Sequence, residues 1–334
     1  MLSRTQYFSL FVIFLLLLSV FTALTPAFVN VDLFYPQRVD SVFVLTEARH
    51  NHPEPGSDVK PDTAGILFNP SSLHLSYENF NVTTADSLLL QGWYCKSQKT
   101  DSPTLLVIHD LNESKIRYLD MFKQLHDRDL HVCIVDLRAH GSSEGHEFTP
   151  GMVSVRDVQA ILDSLFCKEE TQTIYVMGAG IGAFIATQAT ALDDRIAGLI
   201  LENGFVNYGS FLDFYARQKW GRLEFLFRTP FMLKVKHQIQ MEPAELDLSR
   251  LLVLIRVPTL FIAGGRDDFA AASESAILKD SSAARQKELF LIRNSFHSNT
   301  AETGDEYYNR IAEFIVRTIP PKQKRSRYKK LALH

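Results

Sequence analysis

The stretch "YVMGAGIGAF" at residues 175–184 has a glycine spacing that points to chemistry. It fits G-x-G-x-x-A, in which a helix N-terminus receives the pyrophosphate of a dinucleotide. It also fits G-x-S-x-G, the strand-to-helix turn that exposes a nucleophilic serine, with Gly180 in the position of the serine. The two patterns predict different chemistry, and the rest of the sequence has to distinguish them.

An acid and a histidine follow this turn, each after a later apolar run. "PTLFIAGGRDD" leaves Asp267 behind one run, and "ELFLIRNSFHS" leaves His297 behind the next. This order is the one that acyl transfer requires, because the histidine takes the proton of the nucleophile and the acid holds the histidine tautomer. The dinucleotide pattern has one match of its own, Glu202, which stands about 22 residues after Gly180, where a ribose-binding carboxylate is expected. However, a dinucleotide fingerprint normally opens its domain, and here several strands precede it.

The elements that must position these residues alternate between strands and helices. Apolar runs typical of buried parallel strands alternate with helical spacing such as that of Val155, Val158 and Ile161. Two earlier strands, "LHLSYENF" from Leu73 and "SLLLQGWYC", predict an antiparallel opening pair. We therefore expect an α/β fold with a mostly parallel, doubly wound sheet. The aromatic-rich connection at about residues 205–250 is too long for a loop and predicts a helical lid, or a helical excursion over a sheet edge.

At this point the sequence resembles the α/β-hydrolase superfamily, in particular its serine aminopeptidase-like and acyl-ester hydrolase branch. The resemblance runs from about residue 73 to residue 319 and rests on "TADSLLLQGWY", "IHD", "DLRAHGSSEG", "AGGRDDF" and "NSFH". It implies that His297 and Asp267 belong to a catalytic triad and that the positions of Asp110 and Ile181 supply the oxyanion hole. It implies no metal and no cofactor.

Two departures from the family pattern affect the predicted chemistry. Gly180 has no side chain, so no acyl-enzyme can form through this position. Asp110 stands where the family has glycine, and a carboxylate there opposes the stabilisation of a developing oxyanion. We therefore expect a pseudo-hydrolase that binds an acyl, lipid or peptide-like ligand. The alternatives are a hydrolase in which His297 and Asp267 activate water and, as a minor possibility, a dinucleotide-binding oxidoreductase.

The N-terminus predicts attachment to a membrane. Residues 5–31 contain no charged side chain, Arg4 precedes them and Asp32 follows them, which favours a single-pass anchor with the main domain on the extracytoplasmic side. The alternative is secretion after cleavage of a signal peptide. The chain then divides into residues 1–31 (anchor or signal), 32–70 (linker), 71–320 (hydrolase domain) and 321–334 (basic tail). A formal net charge of -3 gives no reason to expect nucleic acid.

Several other polar residues have ordinary structural explanations. We expect Cys95, Cys133 and Cys167 to fill core space, because three scattered cysteines form neither a disulfide framework nor a zinc site. We expect His109 and His140 to brace their loops. Glu202 could serve as a substitute acid, but we expect a strand-end carboxylate to cap a nearby helix instead.

Overall fold

The computed structural model describes residues 6–9, 12–13, 32–39, 69–267, 270–297 and 300–320. Most of the predicted anchor and the whole basic tail lie outside these residues. Within these ranges, no helix combines the length and the hydrophobicity needed to cross a bilayer.

A mostly parallel sheet forms the centre of the fold, as the sequence predicts. Within the described residues it has eight strands in the order β1-β2-β4-β3-β5-β6-β7-β8, and the pairs β1-β2 and β2-β4 are antiparallel. The strands are β1 (Glu78–Thr83), β2 (Leu89–Cys95), β3 (Thr104–Ile108), β4 (His131–Val135), β5 (Ile174–Ala179), β6 (Ile196–Glu202), β7 (Thr259–Gly264) and β8 (Lys287–Ile292).

The first strand begins later than the sequence predicts. Residues Pro70–Leu73 form a 3-10 turn, and His74 ends it in the left-handed region with φ of 57°. Because this backbone conformation breaks an extended chain, β1 starts at Glu78 and not at Leu73.

Helices cover both faces of the sheet. They are α1 (Leu119–His126), α2 (Met152–Phe166), α3 (Ile181–Leu192), α4 (Tyr208–Trp220), α5 (Glu224–Ile239), α6 (Leu248–Leu252), α7 (Ala272–Ser281) and α8 (Asp305–Thr318). One core contains side chains of α2, α3 and the helices between β6 and β7, and the other contains those of α1 and α8. Every residue of β5 is buried, as expected for a parallel strand that is covered on both faces.

The helices α4 and α5 form the predicted lid between β6 and β7. Stacked aromatic rings fix its root to the domain, with ring centroids 4.6 Å apart for Phe205 and Phe211 and 5.5 Å apart for Phe184 and Phe205. Phe184 belongs to α3, which follows the glycine-rich turn. The lid is thus packed directly onto the helix that follows Gly180.

Residues 32–39, which we call the docked segment, pack onto the domain although the sequence favours a linker here. Leu33 and Phe34 are buried in the core, and the carbonyl of Phe34 accepts a hydrogen bond of 2.8 Å from the amide of Phe148. Arg38 donates to three loop carbonyls, at 3.0, 2.7 and 2.6 Å, those of Gly141, Ser143 and Gly145. At least the first part of the predicted linker is therefore part of the folded domain.

The cysteines differ in their surroundings. Cys95 and Cys133 are free and buried, as predicted, but the prediction for Cys167 is wrong because this residue is exposed. It follows the last residue of α2, where the helix ends at the surface.

Candidate functional site

The glycine-rich turn connects β5 to α3 and holds Gly180 in an unusual backbone conformation. Gly180 has φ of 50° and ψ of -114°, which residues other than glycine rarely adopt. A Cβ on Gly178 would lie 2.2 Å from the carbonyl oxygen of Gly182, so the strand and the helix approach each other closely here. The local geometry is the sharp strand-to-helix turn that exposes a nucleophile in active hydrolases.

The carboxylate of Asp110 fills the space above this turn. A Cβ placed on Gly180 would lie 2.2 Å from Asp110 Oδ1 and 2.3 Å from Asp110 Oδ2. Asp110 Oδ1 accepts hydrogen bonds of 2.7 Å from the amides of Ile181 and of Leu111. The carboxylate thus fills the space of a side chain at position 180. It also uses the hydrogen-bond donors of the amides of Ile181 and Leu111.

His297 lies between two carboxylates. Its Nδ1 is 2.7 Å from Asp267 Oδ2, and its Nε2 is 2.9 Å from Asp110 Oδ2. The side chain of Asp267 is fully buried and also accepts a hydrogen bond of 2.8 Å from the amide of Ala270. The structure therefore brings together Gly180, Asp110, Ile181, Asp267 and His297, all the residues that the sequence selects.

The charges of this site favour a protonated histidine. Burial alone would lower the pKa of His297, but its hydrogen bonds to Asp110 and Asp267 and their negative charges raise this pKa to about 10. Burial would raise the pKa of Asp110, but the bond to His297, its positive charge and the two amides keep it below its usual value. The two aspartates therefore favour the imidazolium form of His297 at neutral pH.

Two further hydrogen bonds hold the site in place, and both belong to Asn203. Asn203 Nδ2 donates to the carbonyl of His297 at 2.6 Å, and Asn203 Oδ1 accepts from the amide of Gly264 at 2.9 Å. Asn203 has φ of 48°, and sequence reasoning missed its role because an asparagine at a strand end carries no distinctive spacing.

His109 braces its loop, as the sequence predicts. His109 Nδ1 donates to the carbonyl of Asp110 at 2.7 Å, and its Nε2 accepts from the amide of Leu137 at 2.9 Å. Burial lowers the pKa of His109 to about 4, so it is neutral. His140 similarly binds the carbonyl of Arg138 through Nδ1 at 2.9 Å.

Glu202 is buried and bonds to the C-terminal part of the chain. It accepts a hydrogen bond of 2.8 Å from the hydroxyl of Tyr307 and another from the hydroxyl of Thr300. Burial raises the pKa of Glu202 to about 7. Its oxygens serve to join β6 to the C-terminal helical part of the chain.

A cavity of about 250 Å³ opens next to the His297–Asp110 pair. Its apolar wall combines the docked segment, the loop after β3 and the lid: Leu33, Leu111, Phe205, Phe211 and Tyr215. Sequence reasoning missed Leu33, whose signal was an apolar pair within a polar segment. Among the described residues, no group of three His, Cys, Asp or Glu side chains is arranged to hold a metal ion.

Comparisons with known proteins agree with this fold. The model of the family described as serine aminopeptidase, S33, matches residues 100–248. The Pyrococcus furiosus esterase Pf2001 is similar with a TM-score of 0.64 and 20% identity, over 76% of this chain and 95% of that chain. The Pyrococcus horikoshii acylaminoacyl peptidase is similar with a TM-score of 0.57 and 16% identity, over 77% of this chain and 44% of that chain.

A curated relative is similar over most of its length. The uncharacterized membrane protein YNL320W of Saccharomyces cerevisiae is 22% identical over 254 residues, which are 74% of this chain and 82% of that protein. With the sheet topology and the strand-to-helix turn, these similarities agree on one fold. The chain has the α/β-hydrolase fold, and its residues 100–248 are similar to the serine aminopeptidase family.

Proposed function

We propose that this chain is a membrane-anchored, extracytoplasmic pseudo-hydrolase, which uses the hydrolase pocket to bind a small ligand and forms no acyl-enzyme. The observation that carries the proposal is the position of the Asp110 carboxylate. It lies in the space that a side chain at position 180 would need and bonds to the amides of Ile181 and Leu111.

Acyl transfer needs an attacking atom, an oxyanion hole and a base. In this geometry the attacking atom is missing, and the oxyanion hole and the base are both blocked. Gly180 supplies no attacking atom. A substrate oxygen would have to displace the Asp110 carboxylate from the amide of Ile181, which stabilises negative charge only if it can bind it. His297 is held as an imidazolium with both ring nitrogens engaged, so it cannot accept a proton.

The alternative is a hydrolase in which His297 and Asp267 activate water. The 2.7 Å contact between these two side chains favours it, since this half of the triad is intact. For this reaction Asp110 would have to leave His297, so that the imidazole could lose its proton. The present geometry favours the binding function.

The dinucleotide alternative has less support. The amide of Ile181, at the N-terminus of α3, is bonded to the Asp110 carboxylate, which would repel a pyrophosphate. Glu202, the expected ribose ligand, is buried against Tyr307 and Thr300.

The lining and the size of the cavity indicate which class of ligand it can bind. Its apolar and aromatic wall suits an acyl chain, part of a lipid or an apolar peptide side chain, and its size suits a short group of this kind. The anchor rests on the uncharged run at residues 5–31, and the name of the yeast relative agrees with a membrane location.

Ester hydrolysis distinguishes the binding function from the water-activating one. We expect the wild-type chain to hydrolyse p-nitrophenyl acetate and butyrate at the background rate, and His297→Ala to leave that rate unchanged. Turnover by the wild type that His297→Ala abolishes would establish the water-activating alternative instead.

A further inference from the structure

The cavity lies close to the point where the chain leaves the apolar N-terminal run. Leu33 lines the cavity, and the uncharged run ends at Val31. Two residues span at most about 7 Å, even when fully extended. If the run crosses a bilayer, the cavity therefore lies next to the surface of that bilayer.

The lid helix α5 lies on the same side of the molecule as the docked segment. The hydroxyl of Tyr35 donates to Glu147 Oε1 at 2.8 Å, and Gln238 Nε2 of α5 donates to Glu147 Oε2 at 2.7 Å. One carboxylate therefore connects the docked segment to the last turn of the lid helix. The docked segment and the end of α5 are therefore neighbours.

Large apolar side chains are exposed on α5 and just before it. Phe225 is 73% exposed and Leu233 is 62% exposed, and Leu223 and Leu226 add to the same surface. Phe225 and Leu233 are eight residues apart, so they lie near one face of the helix. Such a surface usually marks a protein or membrane contact.

The charge of the lid suits an anionic lipid surface. Residues 208–242 contain six Lys or Arg residues and three acidic ones, whereas the whole chain has a net charge of -3. A helix with apolar side chains on one face and basic residues around them lies in the headgroup region of a bilayer.

We propose that the exposed apolar face of α5 lies in the headgroup region of the membrane that holds the N-terminal anchor. The cavity then opens at the lipid surface, and its ligand is an acyl-bearing molecule that reaches it from the bilayer. This inference rests on the anchor of the proposed function, but it does not depend on whether the site is catalytic.

Site-specific fluorescence on the full chain tests this orientation. A Cys167→Ser background removes the exposed cysteine, and an environment-sensitive dye is then attached to Phe225→Cys, Leu233→Cys or Val316→Cys. Val316 is 60% exposed on α8, which packs on the other face of the sheet, and it is the matched control. The proteins are reconstituted in nanodiscs that contain phosphatidylcholine and phosphatidylserine.

We expect doxyl-labelled lipid to quench the two α5 dyes at least about twofold more than the Val316 dye, since an interfacial helix lies about 5–10 Å deep. Aqueous iodide should show the reverse order. Equal lipid quenching at all three positions would overturn the proposal. An α5 dye shielded from iodide but not quenched by lipid would indicate a protein partner or a second copy, and would overturn it too. Failure of the full chain to enter nanodiscs would refute the anchor itself.

Discussion

Asp110 and Gly180 depend on each other, because the carboxylate of one occupies the space that a Cβ on the other would need. Gly221 provides a comparison, since its φ of 52° and ψ of -126° are close to those of Gly180. A Cβ added to Gly221 would meet nothing within 4 Å in the part of the chain that the structure describes. A comparison of substitutions at the two glycines therefore separates the cost of backbone strain from the cost of contact with Asp110.

We expect Gly180→Ala to destabilise the protein more than Gly221→Ala does. Both substitutions place a side chain at positive φ, which costs about 1–3 kcal/mol. Only Gly180→Ala also meets the Asp110 carboxylate, and such overpacking adds about 1–3 kcal/mol. Urea unfolding of the two variants measures the difference. In an Asp110→Gly background, the additional loss of stability caused by Gly180→Ala should disappear. If Gly180→Ala lowers the free energy of unfolding equally with and without Asp110, the carboxylate does not fill this space.

We expect His297 to remain an imidazolium well above neutral pH. Its pKa of about 10 results from Asp110 and Asp267, whose bonds and charges outweigh burial. Titration of the ring nitrogens by ¹⁵N NMR measures this pKa directly. Asp110→Asn should lower it, because the variant removes one negative charge, and an ordinary pKa near 6.5 in the wild type would contradict the proposed charge state.

The ion pair between His297 and Asp110 predicts how the stability of the protein depends on pH. A histidine whose pKa is raised on folding contributes stability that is complete below its unfolded pKa of about 6.5 and is lost as the pH rises towards about 10. We therefore expect the free energy of unfolding of the wild type to fall over this range more steeply than that of Asp110→Asn. Parallel curves for the two proteins would argue against the ion pair.

At the scale of elements, the docked segment connects the N-terminus to the loop after β4. Arg38 donates to three carbonyls of this loop, and Phe34 and Phe148 bond through their backbones. A hydrogen bond from a charged donor contributes about 1.5–3 kcal/mol, so this arginine is a main attachment of the segment.

We expect Arg38→Ala to loosen the docked segment without unfolding the domain. The amide of Phe148, which bonds to Phe34, should then exchange with solvent at least about tenfold faster, as a loss of about 1.4 kcal/mol implies. Hydrogen exchange with mass spectrometry measures it. Arg256→Ala, at an exposed position, serves as the control, and unchanged exchange in Arg38→Ala would show that the segment is held by other contacts.

Sequence reasoning predicts the regular elements better than the local contacts. The strands and α2 follow from continuous apolar runs and helical periodicity, which depend only on neighbouring residues. The orientation of Asp110 depends on a space that exists only because residue 180, far along the chain, is glycine. The docking of Leu33 and Phe34 was obscured by the Pro, Asp, His and Asn residues that surround them in the sequence.

For the whole molecule, the docked segment contributes to global stability as well as to the cavity wall. Phe34 is buried in the main core with 2% exposure, and truncation of such a side chain costs about 3–5 kcal/mol. We expect Phe34→Ala to lower the free energy of unfolding by this amount in denaturant titrations. Tyr35→Phe, at a position that is 48% exposed, should change it by less than about 1 kcal/mol. If Phe34→Ala leaves the free energy of unfolding unchanged, residues 32–39 are a true linker.

At the scale of the whole molecule, the cavity and α8 lie on different sides of the sheet. The basic lid and the docked segment lie beside the cavity, while α8 packs on the opposite face of the sheet. An anchor that precedes Asp32 would hold the cavity side towards the bilayer. This orientation agrees with the acyl-bearing ligand that we propose.

The most direct measurement of the central claim is labelling by a fluorophosphonate probe, followed by mass spectrometry of the modified peptide. The wild type, Asp110→Gly, Gly180→Ser and the double variant Asp110→Gly/Gly180→Ser are compared under identical conditions. Because Asp110 fills the place of a nucleophile and its oxyanion hole, we expect labelling at position 180 in the double variant alone. Labelling of Gly180→Ser at the same rate as the double variant, or of any pocket residue in the wild type, would contradict this account.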